Sequence, residues 1–382
     1  MNVLRVCIVA VVGVIGAASS AGRAQSLPHI DAVIEEMELA VLAGDPAAYL
    51  RHVAPTECAG CDAFFRAEQE AWAADLAKVR PVKFELSASE PREREDGGVA
   101  VMLVMEYAMP EGPAKKGARA EWTGVFRRHG DDGKSGEVNG DRWLYHGEPW
   151  LVLEREGFVV KYEPGFEEVA EEAAAAFPVS KSHADEGFGI TNAKPQQIKL
   201  YHDMEHLKAS VYLSMPDSSL GGWNEPGESI KFMTWYTRGE GWKQAFAHEY
   251  AHVATWEMGP RARQNMPWWM AEGVAELSAE RFRPGYVAAL DKMMRDLAAS
   301  NALVAWQEII DYQTAAQRVK QMAYMQGHHL MGYVSERFGR EGRNAWIREV
   351  AAGKTLDEAT RGALGTGFAE LDAAWRESLK ER

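Results

Sequence analysis

The residues with the most evident capacity for chemistry are His248, Glu249 and His252, in the run Ala247-His248-Glu249-Tyr250-Ala251-His252-Val253. Two histidines four apart on a helix leave the same face, one turn from each other. Their neutral ring nitrogens can then reach one tetrahedral cation such as Zn2+ at roughly 2.0–2.1 Å. Glu249 points about 100° around the helix axis from His248. From there its carboxylate can act on a water beside the cation without ligating it. A second run, His202-Asp203-Met204-Glu205-His206, carries the inverted form of the same motif, so spacing alone does not choose between them.

A third ligand does. Gly259-Pro260 breaks the first helix, and Pro267 suits the opening position of the next. That helix carries Trp268-Trp269-Met270-Ala271-Glu272-Gly273-Val274-Ala275-Glu276, with Glu272 twenty residues after His252. A carboxylate there completes a His2Glu set and leaves a fourth position open, the arrangement of catalytic rather than structural zinc. Glu276, one turn further on, is placed to accept a hydrogen bond from the far nitrogen of His248 or His252. No partner helix with a carboxylate follows His202 and His206, and that pair reads as structural. Trp268 and Trp269 read as packing residues rather than as a substrate platform.

The HEYAH motif, the nineteen-residue spacer and the Trp-x-x-Glu-Gly-x-Ala-Glu helix together resemble the gluzincin metallopeptidases, with thermolysin-type spacing. The run Pro267-Trp268-Trp269-Met270-Ala271-Glu272-Gly273 is similar to the peptidase MA-like family. So are Ala323-Tyr324-Met325-Gln326-Gly327-His328, the stretch from Tyr333 to Gly339, and the stretch from Ala352 to Ala359. The resemblance spans roughly residues 156–380. It implies one zinc per chain on His248, His252 and Glu272, with Glu249 as base in the hydrolysis of peptide or protein substrates. It also implies a small sheet with an edge strand above the active-site helix, then a helical subdomain. A donor to the reaction's oxyanion is expected; Tyr324 is preferred, with Tyr333, His328 and His329 as rivals. Related aminopeptidases anchor the substrate amine with Gly-x-Met-Glu-Asn, where this chain offers Gly221-Gly222-Trp223-Asn224-Glu225-Pro226. That departure favours endopeptidase action.

These elements need a scaffold. At 382 residues the chain has the length of two or three domains. Its 46% hydrophobic and 26% charged residues exclude a wholly disordered, collagen-like or polytopic membrane protein. Acids outnumber bases 56 to 42, and the net charge of −14 disfavours nucleic-acid binding. Arg5, the uncharged run 6–22 and the exit Gly22-Arg23-Ala24-Gln25 describe a signal peptide over residues 1–24. Cleavage is expected after Ala24, with Ala21 as the alternative site and a retained anchor as the alternative reading. The expectation is an exported protein, periplasmic or extracellular, with no later run that spans a bilayer. Its removal makes the chain two charges more acidic and leaves Cys58 and Cys61 as the remaining cysteines. In an exported protein this pair reads first as a disulfide across a tight loop, with free thiols and a redox or metal function as alternatives.

Residues 29–78 have helical periodicity, broken at Gly44-Asp45-Pro46, with Phe64, Phe65, Ala71, Trp72, Leu76 and Val79 as the apolar face of a helix after the cysteines. Segments 82–88, 99–109, 120–128 and 142–154 then read as a meander of strands. Helices followed by strands predict an α+β domain over 25–155. Its element order and the run Gly140-Asp141-Arg142-Trp143-Leu144-Tyr145-His146 resemble the nuclear-transport-factor-two-like or SnoaL-like cone fold. His146 there reads as a packed or surface histidine. Residues 156–382 are expected to form the zincin-type domain. Its expected elements are a helix at 170–177, strands at 196–201 and 229–236 (the latter at an edge, where extended substrate can pair), and helices at 241–257, 267–282, 284–299, 317–338, 341–352 and 368–380. The favoured reading is an exported zinc endopeptidase with an accessory N-terminal domain. The other is a metal- or ligand-binding scaffold of the cell envelope with negligible turnover, against which the presence of Glu249 speaks.

Overall fold

The computed structural model describes residues 28–58, 61–129, 142–215, 221–225, 229–259 and 261–380. The signal-peptide segment therefore lies outside the described residues.

The N-terminal half begins with α1 (Pro28–Ala43), which buries Ile30, Val33, Ile34, Met37 and Val41 along one stripe. Gly44 takes φ +66°, a left-handed value that suits glycine. Asp45 then accepts a hydrogen bond from the Ala48 amide and caps α2 (Pro46–Leu50). The next helix, α3 (Ala63–Leu76), starts at Asp62, whose carboxylate accepts from the Phe64 amide at 3.0 Å. Phe65, Trp72, Ala73 and Leu76 are its buried apolar positions, while Val79 lies beyond its end and is exposed. Four strands follow as an antiparallel meander: β1 (Lys83–Glu93), β2 (Val99–Ala108), β3 (Ala118–His129) and β4 (Arg142–Tyr145). Along β2 burial alternates strictly, so Val101, Leu103 and Met105 face the helices.

Segment 142–154 is not one strand. It divides into β4 and β5 (Leu151–Arg155), which belong to different sheets. The second sheet thus starts ahead of residue 155, because β5 pairs with β6 (Phe158–Tyr162) across a tight turn at Gly157. The crossover helix α4 (Glu167–Phe188) leads to β7 (Gln196–Tyr201). It is far longer than segment 170–177 and runs through Pro178. Its far half is held by burial of Ala184 and Phe188 and by the Ser180 hydroxyl, which donates to the Lys243 carbonyl at 2.7 Å. Helix α5 (Met204–Val211), β8 (Gly222–Glu225) and β9 (Ser229–Met233) complete the order β5-β6-β7-β9-β8. Strands β6, β7 and β9 are parallel, and the outer strands are antiparallel to their neighbours. The segment expected at the edge is therefore interior, and it stops at Met233; the edge beside the site is the short β8.

Strands β7 and β9 are buried on both faces, and period two sorts their residues. Ile198, Leu200, Ile230 and Phe232 join the main core with Phe177 of α4 and Trp242, Phe246 and Tyr250 of α6 (Gly241–Met258). Gln197, Lys199, Ser229 and Lys231 face the other way, onto α3. There Glu68, 3% exposed, accepts hydrogen bonds from Gln197 at 3.0 Å, Lys199 at 3.0 Å and Ser229 at 2.5 Å, with Lys231 at 3.9 Å. Burial alone would raise this carboxyl's pKa. The ammonium groups of Lys199 and Lys231 and the Ser229 hydroxyl reverse that and hold it below the ordinary value. The two halves of the chain are joined through this polar network and, beside it, through Ala209 and Leu213, which enter the apolar core of the N-terminal half.

The remainder is helical: α7 (Ala262–Asn265), α8 (Trp268–Ala279), α9 (Tyr286–Ala299), α10 (Lys320–Ala351), α11 (Leu356–Leu364) and α12 (Phe368–Ser378). Gly339, at φ +73°, breaks α10 where the sequence places a gap between two helices. Helix α11 was not expected, although its Thr355–Glu358 capping box is a readable start signal. No described helix is long and apolar enough to cross a membrane.

Candidate active site

Helix α6 packs between α4 and α8 and presents His248, Glu249 and His252 to a cleft of about 1100 Å3. Helix α8 supplies the opposing carboxylate. Glu272 Oε2 lies 3.3 Å from His248 Nε2 and 3.6 Å from His252 Nε2. This oxygen is buried and accepts no hydrogen bond, whereas its partner Oε1 takes one from the Trp268 indole at 2.9 Å. A buried carboxylate oxygen without a donor, converging with two ring nitrogens, fits a cation-binding vertex. The three ligating atoms all fall within 4.8 Å of one another.

Glu276 accepts from His248 Nδ1 at 3.0 Å and is itself clamped by the Arg283 guanidinium. A proton on Nδ1 leaves the Nε2 lone pair directed at the cation position. Burial opposes charge on His248, yet the carboxylates of Glu272 and Glu276 beside its ring nitrogens hold its pKa well above the ordinary histidine value. Arg283 and His248 likewise offset burial at Glu276 and depress that carboxyl to about 2. Three carboxylates thus surround two imidazoles, an excess of negative charge that attracts a cation.

The packing of α8 on α10 explains the glycine after Glu272. A methyl group at Gly327 would lie 2.1 Å from the Trp269 carbonyl oxygen, and one at Gly273 would lie 2.5 Å from the Gly327 backbone. Only two glycines permit this approach. It brings Tyr324, one turn before Gly327, beside His248, with ring centroids 6.2 Å apart. Burial and the nearby Glu272 keep its phenol pKa well above the ordinary value, so its hydroxyl stays protonated. The rivals point elsewhere. His328 bonds Glu280 at 2.7 Å, His329 bonds Asp291 and Trp375, and Tyr333 accepts from Arg337.

Glu249 is held from the sheet. Asn224 of β8 donates to its Oε2 at 2.9 Å, and a methyl group at Gly222 would come within 2.8 Å of its Oε1. Asn224, Arg283 and Tyr236 also line the cleft, and none was expected from spacing. The pair His202/His206 is not brought together with a third ligand. His202 bonds Glu163 and His206 bonds Glu148 between the rings of Trp122 and Trp150. Trp269 is core, packed on Trp306, while Trp268 stands at the cleft wall. That wall continues into α3 through Ala71, Ala74 and Asp75, and past its end to Lys78.

Residues 174–381, more than half of the chain, match the Peptidase MA superfamily. The chain belongs to that superfamily. Among solved structures, this Peptidase MA member is similar to a two-domain M1 zinc metallopeptidase mutant bound to L-arginine, at 13% identity. That likeness covers 80% of this chain and 62% of the other, with a TM-score of 0.35. It is also similar to an M1 zinc metallopeptidase from Deinococcus radiodurans at 13% identity, covering 78% and 61% with a TM-score of 0.35. The chain therefore spans less than two thirds of the length of either. No curated protein sequence matches it.

Proposed function

We propose that this Peptidase MA member is an exported, zinc-dependent endopeptidase. The observation that carries the proposal is the joint placement of a His248–His252–Glu272 donor set and an aimed, non-ligating Glu249 on one cleft. Bound zinc would supply Lewis acidity to water and to a carbonyl oxygen. Glu249, steadied by Asn224, takes the proton of the attacking water and returns it to the departing amine. Tyr324, its hydroxyl kept protonated, donates to the oxygen that gains charge as the carbonyl becomes tetrahedral.

Strand β8 lies at the sheet edge and forms part of the cleft wall, so its outer backbone groups can pair with an extended substrate. The cleft, at about 1100 Å3, has room for an extended polypeptide segment. Export is supported by the run 6–22 and by the disulfide between Cys58 and Cys61. Glu249→Gln tests the assignment: peptide hydrolysis on an unfolded protein substrate falls by about 10^2–10^4 or more, and zinc measured by mass spectrometry stays bound. Retained hydrolysis in that variant would sink the reading.

A further inference from the structure

A second set of metal-ligating side chains lies in the N-terminal half. His129 ends β3, His146 follows β4, and Cys58 lies in the loop between α2 and α3. His129 Nε2 and His146 Nε2 are 2.8 Å apart with their rings stacked, and Cys58 Sγ lies within 4.8 Å of ligating nitrogens on both. Cys61 stands outside that trio, but its sulfur is one bond from that of Cys58.

The backbone builds this convergence from three directions. Val53 bridges to Tyr145, the Ala54 amide donates to the Tyr145 carbonyl, and the Tyr145 amide donates to the His52 carbonyl. The cysteine loop is thereby fastened to β4 one residue before His146. Its other end is fixed by Asp62, which caps α3 and pairs with Lys161. The His146 amide donates to the Val125 carbonyl at 2.8 Å, which holds His146 against the strand that ends in His129. Two imidazoles can share one proton at this separation; a cation in its place satisfies both lone pairs.

We propose that Cys58, Cys61, His129 and His146 form a second metal site, taken by Zn2+ or a similar borderline-soft cation when the disulfide is reduced. Two thiolates and two neutral imidazoles are the tetrahedral donor set such a cation prefers. The chemistry balances. A dithiol reductant passes two electrons and two protons to the disulfide and becomes a disulfide itself, leaving Cys58 and Cys61 as thiols. The dication then displaces both thiol protons, so the filled site is neutral and suits its half-buried position. Cys58 and Cys61 are thus joined in either redox state, by their own bond or by the shared cation.

The test uses the whole mature protein with Co2+ as probe, loaded before and after anaerobic phosphine reduction and removal of excess metal. The expected result is one further Co2+ per chain in the reduced protein only, with a thiolate-to-cobalt charge-transfer band that the His2Glu donor set cannot give. Cys58→Ser with Cys61→Ser abolishes the band. His129→Gln with His146→Gln weakens the added site by more than the roughly 10–100-fold that loss of an outer partner costs, and the retained first Co2+ shows that the variant is folded. Equal cobalt in both redox states, or an unchanged band and affinity in the histidine variant, overturns the proposal. X-ray absorption on the reduced wild type decides independently of any variant: a sulfur shell averaging about one per cobalt over the two sites supports it, and a shell without sulfur overturns it.

Discussion

The two donor clusters are built in opposite ways. At His248 and His252 a single helix fixes the spacing, and one crossing helix adds Glu272, so the geometry follows from rigid elements. At Cys58, Cys61, His129 and His146 a loop and two strand ends supply the donors, and a disulfide stands where a cation would sit. The first cluster is preorganised and short of positive charge; the second depends on the redox state of its own ligands. Preorganisation is what catalysis requires, whereas a conditional site suits structural closure.

The difference can be broken most severely at the helix crossing. Glu272→Ala removes the only carboxylate between the two imidazoles. The variant is expected to lose zinc and to hydrolyse peptide at background rate, measured by metal analysis beside a peptide assay. Next in size is the joint between the halves. Glu68→Ala takes the counter-charge from buried Lys231 and leaves Lys199 with Glu148 alone at 3.9 Å, at a cost of about 3–5 kcal/mol, read from denaturant midpoints. The pH dependence has a definite sign. The Glu68 carboxyl is held below its ordinary value in the folded state. Its contribution is complete above the unfolded value of about 4.3 and is lost as pH falls through the lower folded value. Wild type should therefore lose stability in acid more steeply than Glu68→Gln.

Tyr324→Phe leaves the cleft filled and removes one donor. We expect kcat to fall by about 10^2–10^3 with KM little changed, and an effect confined to KM would remove Tyr324 from the oxyanion role. The mildest change, Glu276→Gln, keeps the fold and zinc ligands but loosens the tautomer control of His248. Zinc affinity should weaken by about 10–100-fold, measured by competition with a chelator.

The same contrast explains what was legible in the sequence. His248, Glu249 and His252 were readable because helical spacing converts sequence distance into direction. Glu272 was readable because a helix break and a proline announce the second helix. Tyr324 could only be preferred over Tyr333, His328 and His329, since the choice depends on which face of α10 meets α8, and the Gly273–Gly327 contact decides that. Asn224 and Arg283 carry no spacing signal; they come from an edge strand of four residues and from the turn after α8. The edge was assigned to 229–236 because its alternation is clear, but order in a sheet is set by long-range pairing. His146 was read as a packed or surface residue, for its neighbours His129 and Cys58 arrive from distant segments.

Helix α3 forms part of the cleft wall, yet it lies outside the stretch that matches the superfamily. The superfamily-matching half cannot be regarded as a portable unit to which an accessory module has been added. Cutting the chain ahead of residue 174 would strip the polar face of β7 and β9 and open one bank of the cleft. For the proposed peptidase, new substrate preference is therefore accessible through exposed positions on α3 and its flank, at Ala74 or Lys78, without touching helix α6.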